Sequence, residues 1–141
     1  MEQVVRRIRL PPDSGVSLAA DLNGLFIYSD PQVSRVFDLL VDNAVKHGKK
    51  ITRISISCRV TPEDITIVCE DDGVGISAGE KTRIFERVVA GEGKFGLFLV
   101  NELLTLSGMT ITETGEPGKG ARFEITVPKG AYRLTDVQKE L

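Results

Sequence analysis

Apolar residues between positions 33 and 44 repeat with the spacing of an amphipathic helix. They recur every three or four residues, at Val33, Val36, Phe37, Leu40, Val41 and Ala44. Asp30 and Pro31 supply an N-cap and a first-turn proline, and Gly48 ends the pattern. The spacing predicts a first long helix with one buried face.

Alternating apolar and polar residues predict three hairpins. Their strands are residues 16–20 with 25–29, residues 51–60 with 64–70, and residues 109–113 with 121–127. The first pair flanks Asn23-Gly24, a favoured hairpin turn, and the second flanks Thr61-Pro62-Glu63. A mostly apolar stretch, residues 94–106, ends at Gly108 and predicts a second long, largely buried helix, and residues 80–88 predict a shorter one.

This order of elements predicts an α+β fold. The expected architecture is a two-layer α/β sandwich, in which a mixed sheet of about five strands is covered on one face by about three helices. A chain of 141 residues has room for one core. We expect residues 1–15 to be a linker or the end of a preceding helix, residues 16–133 to be one domain, and residues 134–141 to be a C-terminal tail.

Composition narrows the function classes. The 18 Lys and Arg residues against 20 Asp and Glu give a net charge of −2 with interleaved signs, so neither nucleic acid nor a membrane surface is an expected partner. No apolar run approaches the roughly 20 residues of a membrane helix, and we expect a cytoplasmic location. The single histidine, His47, excludes a His-rich metal centre, and Cys58 and Cys69 fall singly in predicted strands.

One flank of the first predicted helix carries groups suited to a magnesium nucleotide. Asn43, Lys46 and His47 fall on the same side as Leu39, at about 100° of rotation per residue. An amide oxygen is a suitable ligand for Mg²⁺, and a lysine ammonium is a point charge for phosphate. An ordinary solvated flank carries the same residue types, so this flank alone leaves the function open.

Two glycine-rich segments are further candidates for ligand binding. Asp71-Asp72-Gly73-Val74-Gly75-Ile76 follows a predicted strand, where Asp71 would accept a hydrogen bond from an exocyclic amine beside a flat ligand, although a plain Asp-Gly turn has the same residues. Gly91-Glu92-Gly93-Lys94-Phe95-Gly96 opens a predicted helix whose free N–H groups favour a phosphate. The second segment also matches the dinucleotide fingerprint G-x-G-x-x-G, but it lacks the full strand that this fingerprint requires before it.

Read in order, five segments resemble the N, G1, F, G2 and G3 boxes of the ATP-binding domain of sensor histidine kinases, the fold shared with gyrase, Hsp90 and MutL. They are FDLLVDNAVKHG, DDGVGI, RIFERVV, GEGKFGLFLV and GKGARFEITVP. The resemblance runs from about Val16 to Lys129, and the last box looks particularly like the archaeal branch of the family. It implies a domain that binds MgATP and transfers the γ-phosphoryl group to a histidine on a separate helical domain.

The resemblance also assigns roles to matching positions. Asn43 would ligate Mg²⁺, Lys46 and Lys94 would stabilise phosphates, and Asp71 would accept from the adenine amino group. The other implied ATP-binding residues are His47, Gly73, Gly75, Ile76, Phe85, Gly93, Phe95, Gly96 and Leu97, with Gly120 and Phe123 as supports and residues 85–94 as a lid. Leu39 stands where the family usually has Asn or a catalytic Glu, so no catalytic base is assigned and slow hydrolysis is expected.

Partners follow from the same resemblance. The phosphoacceptor histidine normally lies on a dimerisation domain that precedes this one, and a response regulator receives the phosphoryl group. His47 belongs to the N box, so we expect the chain to lack an acceptor, to be inactive alone and to be monomeric, with residues 1–15 as a linker or remnant of a dimerisation helix. Two alternatives stay open: a stand-alone serine kinase like the anti-sigma-factor kinases, and a nucleotide-binding regulatory module without transfer activity.

Overall fold

The computed structural model describes residues 2–4, 17–21, 25–28, 34–47, 51–81, 83–86 and 97–134. The elements in these ranges are β1 (Glu2–Val4), β2 (Ser17–Asp21), β3 (Leu25–Tyr28), α1 (Ser34–His47), β4 (Arg53–Val60), β5 (Asp64–Asp71), α2 (Leu97–Leu106), β6 (Thr110–Glu113), β7 (Arg122–Pro128) and β8 (Tyr132–Leu134). The strands form two sheets, one of five strands in the order β2-β4-β5-β7-β6 and one of three in the order β1-β3-β8.

The five-stranded sheet is mixed, as predicted. β2 lies parallel to β4, and every other neighbouring pair in this sheet is antiparallel. The β4–β5 and β6–β7 hairpins confirm two of the three predicted hairpins. The turn between β4 and β5 is closed by the N–H of Thr61, which donates to the carbonyl oxygen of Asp64 at 2.9 Å.

One face of this sheet builds the core together with the two helices. Cross-strand pairing sets Ile56, Cys69 and Phe123 side by side on that face, and all three are buried. The helices bury Val36, Phe37, Leu40, Val41 and Ala44 from α1 and Leu97, Val100 and Leu104 from α2. The predicted period of α1 is confirmed at these five positions. Asp30, Pro31, Val33 and Gly48 lie outside the described residues.

The first predicted hairpin is wrong. In the described part of the chain, β2 pairs with β4, whereas β3 lies between β1 and β8 in the three-stranded sheet. The parallel register sets Leu18 of β2 beside Ile54 of β4, and Leu18 packs against the core. A local hairpin between β2 and β3 would not bury Leu18 in this way, so β2 pairs with β4 although Asn23-Gly24 is a favoured hairpin turn. That turn lies outside the described residues.

Three further expectations need correction. α2 is not largely buried as expected. Its apolar residues lie all around the helix but only one side is buried, and Leu99 and Leu106 are 40% and 80% exposed. Residues 80–81 and 83–86 form hydrogen-bonded turns instead of a third helix. Glu2–Val4 is a strand and not the end of a helix, because its backbone pairs with β3. The boundary expected near Gly15 lies outside the described residues.

The end of α2 is defined by a local hydrogen bond. Gly108, at φ +76°, follows α2 as predicted, and the N–H of Met109 donates to the carbonyl oxygen of Leu104 at 2.9 Å.

In the three-stranded sheet, Val4 of β1 and Arg133 of β8 both pair with Phe26 of β3, one on each side. Neither described helix combines the length and apolarity needed to cross a bilayer.

Candidate functional site

Asn43 is a buried polar residue on the third turn of α1. It is 6% exposed, and its side-chain oxygen Oδ1 is buried without a hydrogen-bond partner among the described residues. The amphipathic period puts it at the border of the apolar face formed by Leu40 and Ala44. A buried oxygen that lacks a partner costs about 1–3 kcal/mol, so Oδ1 of Asn43 is a candidate ligand-binding atom.

Asp71 ends the central strand β5 with a half-buried carboxylate. Its Oδ1 accepts the N–H of Gly73 at 2.8 Å and the N–H of Ala121 at 3.3 Å. Burial raises the pKa of Asp71, the two N–H donors lower it, and the charges of Asp72 and Glu113 add to the rise. Both hydrogen bonds that the described residues make to this carboxylate use Oδ1, which leaves Oδ2 to accept from a ligand.

The loop after Asp71 and the β6–β7 loop, residues 114–121, lie against each other. The N–H of Gly118 donates to the carbonyl oxygen of Val74 at 2.8 Å, and the N–H of Asp71 to that of Ala121 at 3.0 Å. At Gly120, with φ +107°, a Cβ would lie 2.0 Å from the carbonyl oxygen of Asp71. Only glycine allows this approach, which holds the two loops at the end of the sheet.

Buried apolar side chains occupy the segment after β5 and the start of α2. Ile76 and Ile84 are buried, and Leu97 is buried at the first residue of α2. Phe85 packs edge to face on Phe123, with ring centroids 6.2 Å apart and an interplanar angle of 78°. Apolar surface together with one carboxylate is a combination that suits a flat heterocycle with an amino group.

The structure therefore describes part of the predicted site. The predicted site residues that it describes are Asn43, Asp71, Gly73, Gly75, Ile76, Phe85, Leu97, Gly120 and Phe123. Lys46 and His47 lie in the last turn of α1, and their side chains lie outside the described part, as do Gly93, Lys94, Phe95, Gly96 and the predicted lid from position 87. The phosphate side of the site stays a prediction.

The neighbouring Asp72 has a different role. Its Oδ1 accepts the N–H groups of Thr52 and Arg53 at 2.8 and 3.1 Å, and its Oδ2 accepts the hydroxyl of Thr52 at 2.5 Å. These hydrogen bonds lower the pKa of Asp72 from 3.8 to about 2. The side chain joins the start of β4 to the end of β5 instead of facing the pocket.

We predict that Asp72 contributes to acid sensitivity. A folded-state pKa below the unfolded value means that its stabilisation is present above pH 3.8 and is lost as the pH falls toward 2. The Asp72→Asn variant should therefore melt at a lower temperature than the wild type near neutral pH, and the difference should narrow in acid. Thermal denaturation followed by circular dichroism from about pH 6 to about pH 2 tests this. Glu116→Gln, at an exposed surface ion pair with Lys119, is the control, and parallel curves for the wild type and Asp72→Asn would contradict the prediction.

The sequence reasoning missed a buried ion pair between Lys81 and Glu113. The Glu113 side chain is 0% exposed, and the ammonium of Lys81 donates both to its Oε1 and, at 2.6 Å, to the carbonyl oxygen of Gly115. Oε2 accepts the N–H groups of Gly115 and Arg122 at 3.1 and 2.9 Å. A signal was present: Met109, Ile111 and Glu113 alternate on the buried side of β6, so a carboxylate occupies an inward position.

Comparison with known proteins places this geometry in a family. The family described as "Histidine kinase-, DNA gyrase B-, and HSP90-like ATPase" matches residues 29–131. The chain belongs to this ATPase family. The alginate biosynthesis sensor protein KinB of Pseudomonas aeruginosa is 35% identical over 102 residues, which are 69% of this chain and 17% of KinB. The histidine protein kinase SaeS of Staphylococcus epidermidis is 28% identical over 129 residues, 84% of this chain and 36% of SaeS.

Solved structures of two other proteins share the fold. The ATP-binding domain of PrrB from Mycobacterium tuberculosis superposes with a TM-score of 0.68 at 28% identity, covering 81% of this chain and 80% of that one. Full-length ShkA in complex with AMPPNP gives a TM-score of 0.71 at 23% identity, covering 87% of this chain and 27% of that one. The predicted family and fold class are confirmed: this ATPase-family chain has the ATP-binding-domain fold of sensor histidine kinases.

Proposed function

We propose that the chain is the ATP-binding catalytic domain of a two-component sensor histidine kinase, which binds MgATP and transfers its γ-phosphoryl group to a histidine on a separate helical domain. The observation that carries this proposal is the buried Oδ1 of Asn43, unpartnered among the described residues, in a chain that belongs to an ATPase family. The AMPPNP complex of the structurally similar ShkA supports an adenine nucleotide as the ligand.

The donor set around Asn43 fits a magnesium ion that arrives with the nucleotide. Mg²⁺ prefers oxygen ligands and usually keeps several waters or phosphate oxygens beside one or two protein ligands. The described residues hold no cluster of three or more His, Cys, Asp or Glu side chains suited to a metal, so phosphate oxygens and water would complete a site built on Asn43. Bound Mg²⁺ neutralises charge on the phosphates. Lys46 and Lys94 would add positive charge on the same side.

We propose that Asp71 selects adenine over guanine as the base of the bound nucleotide. Its Oδ1 is held by Gly73 and Ala121, so the orientation of the carboxylate is fixed and Oδ2 keeps lone pairs for a ligand. The amino group of adenine would donate there, whereas the carbonyl oxygen of guanine would be repelled by the carboxylate. We therefore propose that the domain prefers ATP to GTP.

Transfer of the phosphoryl group to a histidine is compatible with a site that has no catalytic base. A neutral imidazole nitrogen attacks with its own lone pair, so an N–P bond forms while the bond between the γ-phosphorus and the ADP oxygen breaks. Leu39 is half-buried against the core and carries no group that could activate water. This favours transfer over hydrolysis. The acceptor histidine would lie on a dimerisation domain, with a response regulator as the later acceptor, in the cytoplasm.

Nucleotide binding is the first test. Calorimetric titration of the wild type with non-hydrolysable Mg²⁺ complexes of ATP and GTP should show binding of the ATP analogue only. Asp71→Asn should lower the affinity for the ATP analogue by about 10- to 100-fold, because it removes a charge-assisted hydrogen bond. Asp72→Asn is the matched control, since that carboxylate binds β4. Binding of NAD but not of MgATP would reject the proposal.

The transfer step is tested with labelled ATP and with histidine-bearing helical dimerisation domains of sensor histidine kinases supplied in trans. An acid-labile, alkali-stable phosphoprotein is the expected product. Acid-stable phosphate on serine of a partner protein would favour the serine-kinase alternative. Nucleotide binding with no transfer to any histidine-bearing helical domain would favour a regulatory module.

A further inference from the structure

The Lys81–Glu113 ion pair lies next to Asp71, but base recognition and phosphoryl transfer as described above do not use it. Glu113 is fully buried, and the side chain of Lys81 is 24% exposed. Burying two charges costs free energy that the attraction between them only partly returns, so such a pair is a weak source of stability. Its position suggests another role.

The pair and Asp71 hold the same backbone segment. The N–H of Ala121 donates to Asp71, and the next N–H along the chain, that of Arg122, donates to Glu113. At the other end of the β6–β7 loop, Gly115 donates its N–H to Glu113 and accepts from Lys81 with its carbonyl oxygen. The ion pair thus fixes both ends of the loop that supplies one of the two donors to Asp71.

The ion pair also affects the electrostatic field at Asp71. Among the described residues, the charges that raise the pKa of Asp71 are those of Asp72, on its own loop, and Glu113, on β6. The ammonium of Lys81 contacts Glu113 and offsets its charge. Loss of either partner therefore changes the field at Asp71, in opposite directions.

We propose that Lys81 and Glu113 are positioning residues for nucleotide recognition: together they hold the β6–β7 loop on Asp71, and the ammonium of Lys81 offsets the charge of Glu113 beside the carboxylate that accepts from the adenine amino group. This inference rests on the proposed function of Asp71 as the acceptor from the base. It assigns a purpose to a buried pair that joins two segments 32 residues apart in the chain.

Three variants test the proposal: Lys81→Met, Glu113→Gln and the double variant. The affinity for the Mg²⁺ complex of a non-hydrolysable ATP analogue is measured from about pH 4 to about pH 8, and the Asp71 ¹³Cγ shift is titrated in the unliganded protein. We expect the midpoint of Asp71 to rise by about half a pH unit in Lys81→Met, to fall by a similar amount in Glu113→Gln, and to return near the wild-type value in the double variant. Lys81→Arg should keep the wild-type midpoint.

A purely structural pair would behave differently. All three variants would then melt at lower temperature and lose affinity equally at every pH, with the Asp71 midpoint unchanged, and this outcome would overturn the inference. Failure of the wild type to bind the nucleotide would reject the proposed function instead. The carbon titration in the unliganded protein would still show whether the pair controls Asp71.

Discussion

Asn43→Ala is expected to lower the affinity for a MgATP analogue by about 100-fold while leaving the free energy of unfolding unchanged or slightly higher. The affinity falls because the variant lacks the only protein oxygen proposed to ligate the metal. The stability is expected to be kept because the removed Oδ1 is buried without a hydrogen-bond partner in the described part of the chain, so its loss removes a desolvation cost. Calorimetric titration and urea denaturation measure the two quantities on the same samples.

Two controls make this expectation specific. Asp38→Asn changes an exposed polar residue of the same helix and should bind the analogue like the wild type. Asn43→Asp keeps an oxygen ligand and should retain more of the Mg²⁺-dependent affinity than Asn43→Ala. Equal affinity of the wild type and Asn43→Ala in Mg²⁺ would remove the main support for the metal role of Asn43.

Gly120→Ala is expected to lower the free energy of unfolding by more than about 4 kcal/mol and to abolish nucleotide binding. Its Cβ would lie 2.0 Å from the carbonyl oxygen of Asp71, so β5 and the β6–β7 loop would have to separate. The hydrogen bond from Ala121 to Asp71 would break with them. Urea denaturation gives the stability, and titration with the ATP analogue gives the binding.

Gly118→Ala separates this clash from backbone strain. Gly118 is in the same loop at φ +85°, and a Cβ added to it would meet no atom within 4 Å beyond its own chain neighbours. An alanine there should cost only the left-handed conformation, about 1–2 kcal/mol, and binding should persist in the folded fraction. Equal losses at the two glycines would mean that the close approach to Asp71 is not what makes Gly120 necessary.

Local patterns predicted most of what the structure describes. The period of α1 and the alternation of β4 and β5 act over a few residues, and all three elements formed where expected. Asn43 was found from its place on the flank of a helix, and Asp71 from its place at the end of a strand. Their roles came from the order of five motifs along the chain, which periodicity alone does not supply.

The missed features depend on partners far away in sequence. β2 pairs with β4 because Leu18 packs beside Ile54, and nothing near β2 indicates that pairing. Lys81 is an ordinary surface lysine by its local pattern, and only the fold brings it to Glu113. The inward position of Glu113 on β6 was a readable signal, but its partner was not.

The three-stranded sheet has a mechanical consequence. β1 and β8 are both antiparallel to β3 and hence parallel to each other, about 10 Å apart across Phe26. A pull on Glu2 and an opposite pull on Leu134 would slide the outer strands along β3. The hydrogen bonds that join β3 to β1 and to β8 would then be loaded together in shear. These hydrogen bonds belong to the three-stranded sheet, and Asp71 lies in the five-stranded one. A pull between Glu2 and Leu134 would therefore be resisted first by backbone pairing outside the sheet that holds Asp71.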